Sequence, residues 1–318
     1  MKNKIVLAIM QLKGISRKII FNSFVLTPNL DCTIETVEKS IERASIEGTN
    51  INKFTGKDIE EAIEKADKII KSCENNGIKI VTFLDSEYPE KLKSISDPPT
   101  ILYYKGNINC LNELHSVAII GTRKPTEHGM KIARNLGSSF GKRNYVVVSG
   151  LAVGCDTGGH EGCLDQNGKT VAVMAGGLDR IYPAQNKGLA QRILNSGGAL
   201  LSEYPPYTKT FKNFFVERDR LQSGLSDGVI VVETAEKGGT LHTVQYALEY
   251  QRILACYSHP SKYLNEKQTF GNQKLIKEGK AMAVGNDDEL AEFRNRMENR
   301  EQLQWGRNIQ SSIFDFLN

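Results

Sequence analysis

The strongest constraint on this chain is a change of texture at Ser116. From there, short apolar runs rich in β-branched residues alternate with helix-like stretches. The runs are Val117–Ile120, Tyr145–Val148, Thr170–Met174, Ala199–Leu201, Val229–Val232 and Ile253–Cys256. A strand without polar alternation is buried on both faces, as happens when helices cover both sides of a parallel sheet. The alternation therefore predicts an α/β domain with a doubly wound, mostly parallel, Rossmann-like sheet over residues 116–286.

Where the runs end matters as much. Val117–Ile120 leads into Gly121-Thr122-Arg123, and Tyr145–Val148 into Ser149-Gly150-Leu151-Ala152-Val153-Gly154-Cys155-Asp156. Thr170–Met174 is followed by Gly176-Gly177-Leu178-Asp179-Arg180. Val229–Val232 is followed by Glu233 and then Lys237-Gly238-Gly239-Thr240. Parallel strands bring their carboxyl ends to one edge, where ligands bind at the topological switch point. Four glycine turns are thus expected to share one crevice. Glycine lets backbone N–H groups come close to a ligand, and helix N-termini favour anions. With Arg123, Arg180 and Lys237 added, the expected ligand carries phosphate.

Two common phosphate sites are disfavoured. Ser149 stands where a dinucleotide fingerprint needs its first glycine, and the turn follows the second strand of the domain. No G-x-x-x-x-G-K-[ST] run exists for a P-loop. A nicotinamide cofactor and a P-loop hydrolase are both unexpected.

Before Ser116, residues 1–75 read as a helical domain of helix–hairpin–helix or SAM-like type. Ile5, Leu7, Ala8, Leu12, Ile15, Ile19 and Ile20 recur at helical spacing around Gly14. The turn Leu12-Lys13-Gly14-Ile15-Ser16 fits a phosphate-facing hairpin or a plain helical one. A further helix runs from Asp58 to Cys73. Residues 76–115 read as a connector holding short strands at Ile78–Phe83 and Ile101–Tyr104. Residues 287–318 read as a helical tail: a charged helix from Asp287 to Arg300, then Ile313, Phe314, Phe316 and Leu317.

Composition adds exclusions. The net charge of +4 permits an anionic partner without requiring one. Cys32, Cys73, Cys110, Cys155, Cys163 and Cys256 form no CxxC pair, which disfavours a zinc ribbon, and they read as free thiols in the cytoplasm. The run Ile5–Met10 is too short to span a bilayer, and no membrane association is expected. His128, His160, His242 and His259 have no metal-ligand spacing and read as structural or exposed. No metal, cofactor or catalytic set is expected. Glu233 and Asp156 fit either a carboxylate pair at the crevice or the commoner role of capping helices and ordering loops.

Two stretches mix aromatic and basic residues. In Phe214-Phe215-Val216-Glu217-Arg218-Asp219-Arg220, Phe215 suits base stacking and Arg218 and Arg220 suit phosphate. The opposing reading has the rings in the core and the arginines paired with Glu217 and Asp219. Tyr182, in Asp179-Arg180-Ile181-Tyr182-Pro183, is either a stacking ring or an inward-packed one.

These residues carry a family pattern. Residues from about Gly77 to Gly279 resemble the DNA-processing protein A family, also called Smf. The matches are Tyr88-Pro89, Asp97-Pro98-Pro99, Leu102-Tyr103-Tyr104-Lys105-Gly106-Asn107, and Val117-Ala118-Ile119-Ile120-Gly121-Thr122-Arg123. They continue through Ser149–Asp156 with His160, Gly177–Pro183, Leu200–Pro205, Gly224-Leu225-Ser226, and Gly271-Asn272 with Leu275-Ile276. The resemblance implies a non-catalytic homodimer that binds single-stranded DNA. It would protect incoming strands and load the strand-exchange recombinase in natural transformation. In the family the Gly-Thr-Arg turn faces phosphates, which maps to Gly121, Thr122 and Arg123.

Departures from the family pattern mark where this chain differs. The usual F-P-x-R-N-R is here Phe215-Val216-Glu217-Arg218-Asp219-Arg220, with a carboxylate in place of an amide. Gly238-Gly239-Thr240 resembles the nucleotide loop of the wider superfamily, which includes phosphoribohydrolases. The winged-helix module of many members is expected to be absent, since only residues 290–318 follow Glu289. The expected DNA- and phosphate-binding set is Gly121, Thr122, Arg123, Ser149, Gly150, Gly154, Asp156, Gly177, Arg180, Tyr182, Phe215, Arg218, Arg220, Lys237, Gly238, Gly239 and Thr240. Two alternatives stay open: a nucleotide sensor or phosphoribohydrolase-like enzyme using Glu233 or Asp156, and a family member turned to defence against foreign DNA.

Overall fold

A computed structural model of the chain describes residues 2–26, 31–44 and 54–305. Its first helices are α1 (Lys2–Gln11), α2 (Arg17–Leu26), α3 (Ile34–Ala44) and α4 (Gly56–Asn75). Gly14, at φ +85°, makes the turn between α1 and α2. A reciprocal cap opens α4. The Thr55 hydroxyl accepts from the Asp58 N–H, and the Asp58 carboxylate accepts from the Thr55 N–H at 2.8 Å. The apolar face of α4 (Ile59, Ala62, Ala66) joins Ile5, Ala8 and Ile9 in one cluster with Tyr103, Ala172, Ile193 and Leu200. The helical segment therefore shares a core with the domain that follows.

Residues 76–115 do more than connect. They form β1 (Lys79–Thr82), α5 (Glu90–Lys93), β2 (Ile101–Gly106) and α6 (Cys110–Glu113). Tyr103 of β2 pairs antiparallel with Ser202, and β1 pairs antiparallel with β2, Lys79 opposite Tyr104. The physical reason lies in Ile101–Tyr104, all of them buried. An apolar run of this kind needs a sheet neighbour, and the outer edge of the next sheet strand supplies one.

Strand–helix alternation then continues as expected. Its first half is β3 (Ser116–Ile120), α7 (Glu127–Gly141), β4 (Val146–Ser149), α8 (Cys155–Leu164), β5 (Thr170–Val173), α9 (Lys187–Asn195) and β6 (Ala199–Ser202). Its second half is α10 (Lys212–Gly224), β7 (Gly228–Val231), α11 (Thr240–Glu249), β8 (Ile253–Tyr257), α12 (Phe270–Lys277), β9 (Met282–Val284) and α13 (Asp287–Trp305). The strand order is β1-β2-β6-β5-β4-β3-β7-β8-β9, and every pairing from β6 to β9 is parallel. The chain winds outward from β3 to β6, returns across β3, and winds the other way from β7. The switch point lies at β3, between β4 and β7.

The expected tail is partly core. Leu290, Phe293 and Met297 of α13 are buried with Val117, Ile230 and Phe140. Ile313, Phe314, Phe316 and Leu317 lie outside the described residues. Among the described residues no helix is long and apolar enough to cross a membrane.

Candidate nucleic-acid interface

The four glycine turns meet at the switch point around two adjoining cavities. One, of about 650 Å³, is lined by Gly150, Gly177, Arg180, Tyr182 and the loop Tyr207–Thr210. The other, of about 530 Å³, is lined by Gly121, Thr122, Lys124, Asp156, Asp219, Gln222, Lys237 and Gly238-Gly239-Thr240. Arg123, Ala152, Phe215 and Arg218 line both, so the two form one crevice with a waist.

The first turn is fixed from behind. Thr122 N–H donates to Glu233 O at 2.8 Å, and Cys155 N–H donates to Thr122 O at 3.2 Å. The buried Glu233 carboxylate accepts from the Thr126 N–H at 2.8 Å and hydroxyl at 2.6 Å, next to the start of α7. Gly154, at φ +89°, lies so close to Thr122 O and Arg123 that a Cβ there would collide with them. This packing leaves Arg123 and Lys124 exposed at the crevice.

The second turn is held by Asp156, whose carboxylate accepts from Gly150 N–H at 3.1 Å and Ala152 N–H at 3.2 Å. Burial pushes the Asp156 carboxyl up, against the pull of Arg218. Both carboxylates thus cap and order loops, the second of the two roles open in the sequence. Ser149 is fully buried and donates to Ile119 O at 2.7 Å, so it braces the turn. Gly154 likewise acts through the backbone at the start of α8.

Arg218 forms the floor of the waist. It is buried, donates to Val173 O at 3.0 Å, and its Nε lies 3.1 Å from Asp219 Oδ1. It passes beneath Gly150, where any Cβ would collide with the guanidinium. Gln222 donates to the same Asp219 oxygen at 2.9 Å. Burial pushes the Asp219 carboxyl up to about 6, with Arg218 pulling it down and Asp156 pushing it further up. The residue that departs from the family pattern therefore sits beside the arginine at the crevice floor.

Arg220 departs from expectation. It is fully buried and pairs with Glu203 and with Asp97 Oδ2 at 3.3 Å, while also donating to Asp97 O at 3.0 Å. Two residues along a helix turn a side chain by about 200°. That points Arg220 away from the crevice and toward the segment before β2, so it is not available to a ligand phosphate.

Above the floor stands an aromatic ladder. The Arg123 guanidinium carbon lies 5.2 Å from the Phe215 ring centroid, and the Tyr182 ring meets Phe215 edge-on at 6.1 Å. Tyr182 is 61% exposed, so its inward-packed reading fails. Phe214 instead stacks on Tyr204 at 3.9 Å. The helix carrying these rings is pinned by Glu217, which takes the Tyr204 hydroxyl at 2.6 Å and Arg17 of α2 at 3.1 Å. Arg180 and Lys237 are exposed on the rims, and Gly238-Gly239 precede α11.

The histidines have separate roles. His160 is buried against the Thr170 hydroxyl at 2.6 Å, and burial pulls it down to about 3. His259 bonds Val232 O at 2.9 Å, and His128 stacks on Tyr263 at 4.0 Å. Among the described residues no three His, Cys, Asp or Glu are grouped to hold a metal. Crevice residues that the sequence reading missed are Lys124, Tyr207–Thr210, Gln222 and His242. The signal for the loop was present in Tyr204-Pro205-Pro206-Tyr207-Thr208-Lys209-Thr210-Phe211-Lys212, where rings and lysines follow a proline turn.

A doubly wound sheet with a crevice of glycine turns at its switch point, and exposed cations and rings on the walls, defines a Rossmann-like protein. A family model described as DNA recombination-mediator protein A matches residues 79–295. The DNA processing protein DprA of Bacillus subtilis is 37% identical over 235 residues, covering 74% of this chain and 77% of that protein. The chain belongs to the DNA-processing protein A (DprA/Smf) family. Its structure is similar to the X-ray structure of DprA from Streptococcus pneumoniae, with a TM-score of 0.74, 28% identity, and coverage of 91% and 96% of the two chains. It is also similar to DprA from Helicobacter pylori, a structure described for its unique single-stranded DNA binding mode. There the TM-score is 0.59 and the identity 30%, with 70% of this chain and 96% of that chain covered.

Proposed function

We propose that this chain binds single-stranded DNA through the switch-point crevice, protects the strand, and passes it to a strand-exchange recombinase, acting as a homodimer. The observation that carries the reading is the Arg123–Phe215–Tyr182 ladder at the waist of a glycine-turn crevice. Stacking on rings accepts any base, while cations track the backbone. Arg123, Lys124, Arg180 and Lys237 are exposed along the rims, where cations would meet successive phosphates. Duplex DNA keeps its bases stacked inside, out of reach of Phe215 and Tyr182. Arg218 lies deeper, and its charge is shared with Asp219 and Asp156, so it shapes the floor and supplies less of the phosphate attraction.

A reading as a nucleotide-cleaving enzyme requires a carboxylate free to act on the glycosidic bond. Glu233 is held by Thr126, and Asp156 by Gly150 and Ala152, which favours the binding reading. Gel-shift titration against single-stranded DNA, duplex DNA and RNA at two salt concentrations tests it. Single strands are expected to bind most tightly, and binding to none of the three would overturn the proposal.

A further inference from the structure

We propose that the loop between β6 and α10 is a second base-stacking platform, which takes single-stranded DNA where it leaves the crevice. This rests on the single-strand reading above and extends it to residues outside the ladder. Tyr207 is 72% exposed and Phe211 52%, so two large rings face solvent within five residues of chain. The exposure is built in. Tyr207 has φ +63°, a left-handed conformation that is rare for a bulky side chain and costs on the order of what one hydrogen bond returns.

Several bonds hold it there. Its N–H donates to Asp179 Oδ1 at 2.8 Å, its hydroxyl takes Asn76 Nδ2 at 3.1 Å, and the Thr208 hydroxyl closes the turn on Pro205 O at 2.7 Å. Phe211 is set edge-on against Phe214 at 5.6 Å. The loop therefore presents its rings on a preorganised backbone. A ring so displayed has little to lose in conformational entropy when a flat partner arrives.

Charge and continuity choose the partner. Lys209 lies over the Phe211 ring at 5.8 Å, and Lys212 opens α10 beside it, both exposed. Rings interleaved with lysines suit bases joined by phosphates. Tyr207 and Lys209 also line the larger cavity together with Arg180 and Tyr182, so this end of the loop is continuous with the crevice. Asp179, which lines the same cavity, accepts from the Tyr207 N–H.

The test is binding of the full chain to oligothymidylates of about 4 to 16 nucleotides, a range typical of single-strand sites, followed by fluorescence anisotropy. Three proteins are compared: wild type, Tyr207→Ala with Phe211→Ala, and Tyr207→Phe with Phe211→Tyr. The alanine variant should bind the longest strands about tenfold more weakly, equivalent to ~1.4 kcal/mol, and lose less on the shortest. The ring-retaining variant should match wild type throughout. Equal binding by the alanine variant at every length overturns the platform while leaving the crevice reading intact. Unchanged DNA affinity with an altered oligomeric state assigns the rings to a protein contact and also overturns it. A wild-type chain that binds no length overturns the crevice reading and the platform with it.

Discussion

Arg123 and Phe215 meet across the switch point, the guanidinium carbon 5.2 Å from the ring centroid. They come from opposite sides of the topology, Arg123 from the turn after β3 and Phe215 from the first turns of α10. A cation over a ring face gains from the ring quadrupole, and a flat ring beside a cation is a stacking surface next to a phosphate contact. The two side chains should therefore be coupled in binding. Phe215→Ala is expected to weaken single-stranded DNA binding by ~1–3 kcal/mol. Combined with Arg123→Ala, it should lose less than the sum of the single effects, since each removes part of the same contact. A double-mutant cycle by anisotropy checks this, and strict additivity would count against coupling.

Gly150 is fixed by what passes beneath it. A Cβ at this position would overlap the buried Arg218 guanidinium. Gly150→Ala should destabilise the fold by ~1–3 kcal/mol through overpacking. Shortening Arg218 to alanine in the same chain should return part of that loss. Urea denaturation of the four proteins measures both effects.

Asp219 predicts a pH dependence. Its folded carboxyl is pushed up to about 6, from an ordinary value of 3.8, chiefly by burial. Raising the pH through about 6 places a negative charge beside Arg218, so DNA affinity should fall across that range at fixed ionic strength. Asp219→Asn should bind more tightly above pH 6 and lose this step. Stability follows the same sign. A carboxyl whose folded pKa exceeds its unfolded one is best tolerated below the unfolded value, and that tolerance disappears as pH rises through about 6. The Asn variant should therefore gain Tm relative to wild type above that pH and gain little below about 4. A flat pH profile in wild type would contradict the assignment.

Arg220 and Arg123 should separate cleanly. Arg220 is buried between Glu203 and Asp97, and removing one partner of a buried ion pair typically costs ~3–5 kcal/mol. Arg220→Ala should lower Tm strongly and leave the salt dependence of binding by the folded fraction unchanged. Arg123→Ala should do the reverse. Thermal melts beside salt titrations distinguish them.

Much of this was legible in the sequence because it rests on local pattern. Apolar runs such as Val117–Ile120 and Val229–Val232 announced buried parallel strands, and the glycine turns announced the crevice edge. The misplaced parts depend on contacts between distant residues. Ile101–Tyr104 looked like part of a connector because nothing local shows that β6 has an edge to offer. Phe293 looked like part of a charged tail because its three-dimensional neighbours, including Phe140, lie far away in sequence. Arg218 and Arg220 looked equivalent until the helix turned them to opposite sides. The rings of Tyr207 and Phe211 stand beside lysines in the sequence, but their exposure and the left-handed backbone at Tyr207 are properties of the folded loop.

On the proposed reading, cations on the crevice rims hold the phosphates of a single strand. The most direct test is the slope of log affinity against log salt concentration for wild type and for Arg123→Ala with Lys237→Ala. Each neutralised phosphate contributes about −0.7 to that slope for single strands. The double variant should bind more weakly and show a slope shallower by about 1.4, two such contacts. An unchanged slope would mean that neither cation holds a phosphate, whatever happened to the affinity.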